Sequence, residues 1–193
     1  SKLEDEGKDY LQRVRAASQM MGQLIDDMLE LSRISRTELH WKKLDLSALT
    51  QKIARELQGS DRRRQAEFVV APNLSVYGDA PLLRAALENL LSNAWKFTGK
   101  RGMAKIEFGA VKKDGERVYF VRDNGAGFDM KYVGKIFEPF QRLHSKNEFS
   151  GTGVGLATVR RIINRHGGRI WAEGKVGDGA TFYFTLSENR GEE

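Results

Sequence analysis

The sequence predicts an α/β protein, a two-layer sandwich of helices over a mainly antiparallel sheet, preceded by one long helix. Three features carry this. Residues 8–36 place Tyr10, Val14, Ala17, Met21, Leu24, Met28 and Leu31 alternately four and three positions apart with no proline between them, the seam of a long amphipathic helix. From about residue 37 that period gives way to short runs of alternating apolar and polar residues bounded by Gly, Asp and Asn, which mark strands and turns. Helical spacing then returns twice, from about Ala80 and over residues 154–166.

The long helix, residues 3–36, finds no partner helix in the segment that follows, so its apolar stripe requires cover from elsewhere. Leu44-Asp45-Leu46-Ser47 reads as a short strand ending in an N-cap serine, with a helix to about Leu57. Glu67–Val70 and Ser75–Tyr77 read as short strands. The helix from about Ala80 repeats Leu83, Leu87, Leu90, Leu91 and Ala94 on its core side. Residues 103–112 and 117–123 alternate around Lys113-Asp114-Gly115, a hairpin signal. Leu156, Val159 and Ile163 define the helix over 154–166, which Gly167-Gly168 stops, and strands at 169–174 and 180–186 close the chain.

With 193 residues, 40% hydrophobic and 30% charged, the chain has the make-up of a globular domain plus an appendage. It holds no cysteine, which rules out disulfides and thiolate zinc sites. No apolar run approaches the ~20 residues that span a bilayer, and no signal segment opens the chain. The formal net charge is +6, yet residues 1–36 hold six Lys/Arg against seven Asp/Glu. The basic excess therefore lies in the remainder, which suits a phosphate-bearing ligand and would also suit nucleic acid. Arg62-Arg63-Arg64 is the one tight basic run, has no interleaved aromatics, and reads as a solvated loop.

Three segments carry chemistry. Asn89 and Asn93 stand four apart on one helix face with Lys96 three beyond, and a buried unpaired amide costs ~1–3 kcal/mol. Such a polar edge either bridges local backbone and water or holds a charged, oxygen-rich ligand. Asp123-Asn124-Gly125-Ala126-Gly127 ends a strand; glycines there admit a flat ligand, a strand-end carboxylate accepts from an amine, and an ordinary turn has the same look. Gly151-Thr152-Gly153-Val154-Gly155-Leu156 opens a helix, where free N–H groups suit phosphate oxygens or a hinge suits motion. No GxxxxGK[ST] is present, the second run lacks the final glycine of GxGxxG, and no metal-only His/Asp/Glu spacing occurs.

In order, Asn-x3-Asn-x2-Lys, DxGxG, Phe137-Glu138-Pro139-Phe140, GTGVGL and Gly179-Ala180-Thr181-Phe182 together resemble the ATP-binding domain of sensor histidine kinases. That domain belongs to the wider gyrase, chaperone, histidine-kinase and mismatch-repair (GHKL) superfamily and has the Bergerat fold. Residues 141–174 resemble in wording the kinases attached to PAS or phytochrome-type sensors. The resemblance covers nearly the whole chain. It implies residues 1–40 as the second helix of a dimerisation hairpin and 41–193 as the catalytic domain. It also implies Mg·ATP as the ligand.

Residue by residue, the resemblance implies Asn93 as the principal magnesium ligand with Asn89 beside it, and Lys96 against the phosphates. Asp123 would take the adenine amino group, helped by Thr181, with Gly125 and Gly127 giving the base room. Arg142 would reach the terminal phosphate. Residues 129–150 would form a lid, with Gly151, Thr152, Gly153, Val154, Gly155 and Leu156 as its hinge and phosphate cradle. Hydrolytic members of the superfamily place a glutamate where Asn89 stands, and an amide cannot serve as general base. Transfer of the γ-phosphoryl to a histidine, and then to the receiver domain of a response regulator, is thus implied, with Asn89, Lys96 and Arg142 as the catalytic set.

None of His40, His144 and His166 stands in a His-Glu/Asp-Leu-Arg-x-Pro-Leu type box, so the phosphoacceptor is expected outside this chain. Homodimerisation through the N-terminal helix, a cytoplasmic kinase portion, and no nucleic-acid partner complete the expectations. A GHKL ATPase and a nucleotide-binding module without transfer activity are the alternatives.

Overall fold

The computed structural model describes residues 2–36, 38–141, 143, 148–149 and 151–187. Helix α1 (Lys2–Arg36) runs into β1 (Trp41–Asp45) and α2 (Leu46–Ser60). Then follow β2 (Ala66–Val70), β3 (Ser75–Asp79), α3 (Ala80–Phe97), β4 (Ala104–Lys113) and β5 (Glu116–Asp123). A single 3₁₀ turn (Met130–Tyr132), α4 (Gly155–Arg165), β6 (Ile170–Lys175) and β7 (Gly179–Phe184) complete the order.

The main sheet has five strands in the order β2-β4-β5-β7-β6, and β1 pairs with β3 in a separate two-stranded ribbon. Within the main sheet β2 and β4 run parallel and the other pairs antiparallel. The parallel pair follows from its connection: β3 and α3 lie between the two strands, long enough for a crossover, whereas β4 and β5 are joined by two residues. Those two, Asp114 (φ 52°) and Gly115 (φ 84°), both take the left-handed conformation, which matches the twist of a tight hairpin.

Helices α2, α3 and α4 cover one face of the sheet. Leu83, Leu87, Leu90 and Leu91 of α3 are buried against Ile106 and Phe108 of β4, Val121 of β5, and Val159, Ile162 and Ile163 of α4. A buried Leu contributes roughly 1.5–3 kcal/mol, so the apolar side of α3 holds the helix in place and leaves its other edge for polar groups. At the far end of α4, His166 is 0% exposed. Its Nδ1 donates to the Ile162 carbonyl (2.8 Å) and its Nε2 accepts from the Asp79 N–H (3.0 Å). Burial holds this imidazole below its usual pKa, in keeping with the neutral tautomer that both bonds require. Asp79 in turn caps α3 through Leu82 N (3.1 Å), so one joint ties α4, β3 and α3.

Two expectations are corrected. The cap of α2 is Asp45, whose side chain accepts from Ala48 N (2.9 Å). Ser47 sits inside the helix, where its hydroxyl donates to Ala71 O (2.7 Å) and accepts from Leu74 N (3.0 Å) to pin the β2–β3 connection. Arg64 is not a solvated loop residue. Its guanidinium lies 4.0 Å over the Trp95 ring and donates to Thr98 Oγ1 (2.6 Å), so the basic run is anchored to the end of α3. The apolar stripe of α1 stands in the open within this chain: Tyr10 is 64% exposed and Val14, Met21 and Met28 are exposed too, while Ile34, near the helix end, is 4% exposed in the core. No helix among the described residues is long and apolar enough to cross a membrane.

Candidate functional site

The polar edge of α3 faces a cleft of about 210 Å³ between α3, the β5 end and the segment that leads into α4. Asn89 donates through Nδ2 to Ala85 O (2.9 Å), which orients its Oδ1 toward α4. That oxygen would lie 2.4 Å from a Cβ at Gly155, so any larger residue there would collide with the amide. Asn93 Oδ1 accepts from Lys96 Nζ (3.1 Å), and the same ammonium lies 4.4 Å from the centre of the Phe97 ring. The helix thus presents two amide oxygens and a cation on one side, as i, i+4 and i+3 geometry requires.

At the other end, Asp123 is 6% exposed. Burial pushes its carboxyl up to about 6, against the pull of the Gly125 and Ala180 backbone N–H groups and the Arg101 charge. Oδ1 accepts from Gly125 N at 2.8 Å. A buried carboxylate with room for one more donor is well suited to an exocyclic amine. Arg101 braces this end: it donates to Gly125 O (2.9 Å) and to Gly177 O, clipping the DxGxG loop to the β6–β7 turn. Gly127 sits at φ +62°, and a Cβ there would meet Lys175 O at 1.9 Å. Its glycine is required by packing against the same turn.

The third wall is the glycine run. Phe140 N donates to Gly153 O (3.0 Å), fastening the run to the FEPF segment. Ile136 and Phe137 of that region are buried in the core, and Asp129 caps the 3₁₀ turn through Lys131 N (3.0 Å). Ile136 and Phe137 thus tie the middle of residues 129–141 to the body of the domain, while Met130, Tyr132 and Phe140 stand exposed. Arg142 and His144 lie outside the described residues.

Of the expected site residues, Asn89, Asn93, Lys96, Asp123, Gly127, Gly151, Thr152, Gly153, Gly155 and Leu156 all line the cleft. Three others do not. Gly125 packs behind it, where a Cβ would stand 2.6 Å from Phe97 O. Val154, 1% exposed, is a core residue at the start of α4. Thr181 pairs in register with Arg122 while Ala180 pairs with Asp123, and adjacent strand residues face opposite sides. Its hydroxyl accepts from Arg122 Nε (3.3 Å) on the outer face, and Ala180 occupies the cleft wall instead. Pattern reading also passed over the apolar wall: Phe97, Phe128, Phe149 and Phe182 line the cleft, with Phe97 and Phe149 edge to face at 4.9 Å. In sequence, such residues look like any other core aromatics.

Comparison with known proteins agrees with this geometry. The family model described as histidine kinase-, DNA gyrase B-, and HSP90-like ATPase matches residues 78–190. Cyanobacterial phytochrome A of Nostoc sp. is 33% identical over 184 residues, which is 95% of this chain and 24% of that protein. The methanogenesis regulatory histidine kinase FilI of Methanothrix harundinacea is 37% identical over 185 residues, 94% of this chain and 20% of that protein. The chain spans about a quarter of the length of the cyanobacterial phytochromes it matches and under half that of the SasA kinases. Among solved structures, full-length ShkA in complex with AMPPNP superposes with a TM-score of 0.70 at 26% identity, covering 94% of this chain and 39% of that one. The catalytic domain of the histidine kinase ThkA, in a nucleotide-free form, gives 0.62 at 26% identity, covering 77% and 98%. Fold, cleft and likeness converge: the chain belongs to the histidine kinase-, DNA gyrase B- and HSP90-like ATPase family.

Proposed function

We propose that residues 41–193 bind Mg·ATP and pass its γ-phosphoryl group to a histidine as the catalytic domain of a two-component sensor kinase, with α1 as the second helix of the dimerisation hairpin. The observation that carries this is one cleft joining a buried carboxylate, an amide–amide–lysine edge and a glycine run at a helix start. Asp123 would accept from the adenine amine, and the phosphates would run toward Lys96 and the N–H groups of the glycine run. Asn93 Oδ1 already accepts from a cation, the Lys96 ammonium, and Asn89 Oδ1 is held facing Gly155. Both oxygens therefore suit a hard divalent cation. Magnesium, when bound, would offset the phosphate charge; Asn89, Asn93 and Lys96 would orient the triphosphate, with Arg142 at its terminal group. Phosphoryl transfer asks chiefly for positioning and charge neutralisation.

Transfer is favoured over hydrolysis by the lining itself. Asp123 is the one acid on the cleft wall among the described residues, and it belongs to the base end. Asn89, on the α3 edge of the cleft, is an amide and cannot serve as a general base for water. His166 is buried with both ring nitrogens engaged, so it is not an acceptor. We place the kinase portion in the cytoplasm, with a response-regulator receiver domain as downstream partner and a second copy as the cover for the exposed stripe of α1.

The test is calorimetry with a non-hydrolysable ATP analogue and Mg²⁺, followed by labelled ATP with and without a separate hairpin fragment carrying a histidine box. Binding and labelling of that fragment alone are expected. Absent binding, or acid-labile phosphate on His40, His144 or His166, would overturn the reading.

A further inference from the structure

A residue from α1 reaches the phosphate end of the cleft. Thr152 lies between Gly151 (φ 138°) and Gly153 (φ 81°) and lines the cleft. Its hydroxyl nevertheless donates to Asp27 Oδ2 at 2.5 Å, across 125 residues of sequence. The other oxygen of that carboxylate accepts from Gln23 Nε2 (2.8 Å), one turn back along the helix. Further along, Ile34 enters the core, and its carbonyl accepts from Arg165 in the last turn of α4. α1 is thus held at both ends of α4, with Asp27 against the glycine run.

A hydroxyl has one proton to give. While Thr152 donates to Asp27, that proton is withheld from a phosphate oxygen. The carboxylate also sets negative charge beside the N–H groups that would receive an anion. Both effects have the same sign. Resting on the nucleotide reading above, we propose that Asp27 is a competitive latch: docking of this stretch of α1 on the glycine run and binding of a nucleotide's phosphates exclude one another. Displacing α1 from Thr152 then raises triphosphate affinity, and by reciprocity the triphosphate loosens α1. Adenosine, which has no phosphate, is indifferent to the latch.

The whole chain and its Asp27→Ala and Asp27→Asn variants are titrated calorimetrically with adenosine, ADP and a non-hydrolysable ATP analogue, all with Mg²⁺. Asp27 lies on the partly exposed surface of α1 and alanine is the best helix former, so the helix persists. Asp27→Ala should bind the ATP analogue ~10-fold more tightly, from the loss of one like charge nearby. The gain should shrink for ADP and vanish for adenosine. Asp27→Asn, which keeps an acceptor without the charge, should fall between. Hydrogen exchange over residues 20–30 should quicken when the wild type takes up the ATP analogue. Equal or weaker binding by Asp27→Ala overturns the latch and leaves the nucleotide reading standing. No binding of any ligand by either chain overturns both.

Discussion

At the β5 end of the cleft the polar groups are buried and bonded in advance: Asp123 is held by backbone N–H groups, and Arg101 clips the loop that carries it. At the α3–α4 end the groups are bonded to one another in ways a ligand would rearrange. Lys96 is on Asn93, and Thr152 is on Asp27. On the nucleotide reading, the end that would take the base is thus preorganised for one donor, at the cost of a desolvated carboxyl. The end that would take the phosphates keeps contacts between its own side chains, which a charged ligand could replace. Recognition of the base should then be strict and insensitive to α1, while the response to phosphates should be graded.

The largest test of this contrast is Asp123→Asn. Losing a charge-assisted acceptor should weaken every adenine nucleotide by ~100-fold, measured by calorimetry. Thermal stability at neutral pH should hold or rise, because a desolvated charge is removed. A variant that lost stability together with binding would show the carboxylate to be a structural brace instead.

Acidity gives the next effect. With a folded pKa of about 6 against 3.8 unfolded, the folded state holds more protons between these values. Asp123 therefore lowers stability as pH rises from about 4 to 6, with no further change above. Ligand affinity runs the other way, since the amine needs the ionised form: it should fall up to about tenfold per unit below pH 6. Asp123→Asn should flatten that limb, and a wild-type profile already flat from pH 5 to 7 would break the argument.

Asn93→Ala should reduce magnesium-dependent affinity for the ATP analogue by roughly fivefold and leave adenosine untouched. An equal loss for adenosine would mean that the two ends are not independent. The smallest effect is expected of Arg101→Ala, which should move the acid limb to higher pH, since that charge pulls the Asp123 carboxyl down. A downward move would reverse the assigned role.

Much of this contrast was legible beforehand, and the exceptions are informative. The α3 edge, both glycine segments and the 113–116 hairpin follow from periodicity and turn chemistry, which are local. Asp45 and Ser47 compete as caps within three residues, and the winner depends on the distant Ala71 and Leu74 backbone that Ser47 serves. Thr181 and Ala180 differ by the facing of one strand, which register against β5 decides. Arg64 acquires its role from Trp95 and Thr98, more than thirty positions away. Contacts of this kind leave no periodic trace.

The way α1 is mounted has a mechanical consequence. Thirty-five residues of helix extend about 52 Å, and within the described chain the helix enters the core only near its C-terminal end, at Ile34. Its holds, Asp27 on Thr152 and Ile34 in the core, both lie in its C-terminal third. Successive residues point about 100° apart around the axis, so a quarter-turn of the helix about that axis would swing Asp27 away from Thr152. Rotation of α1 about its own axis is therefore enough to part Asp27 from Thr152, with no translation along the axis.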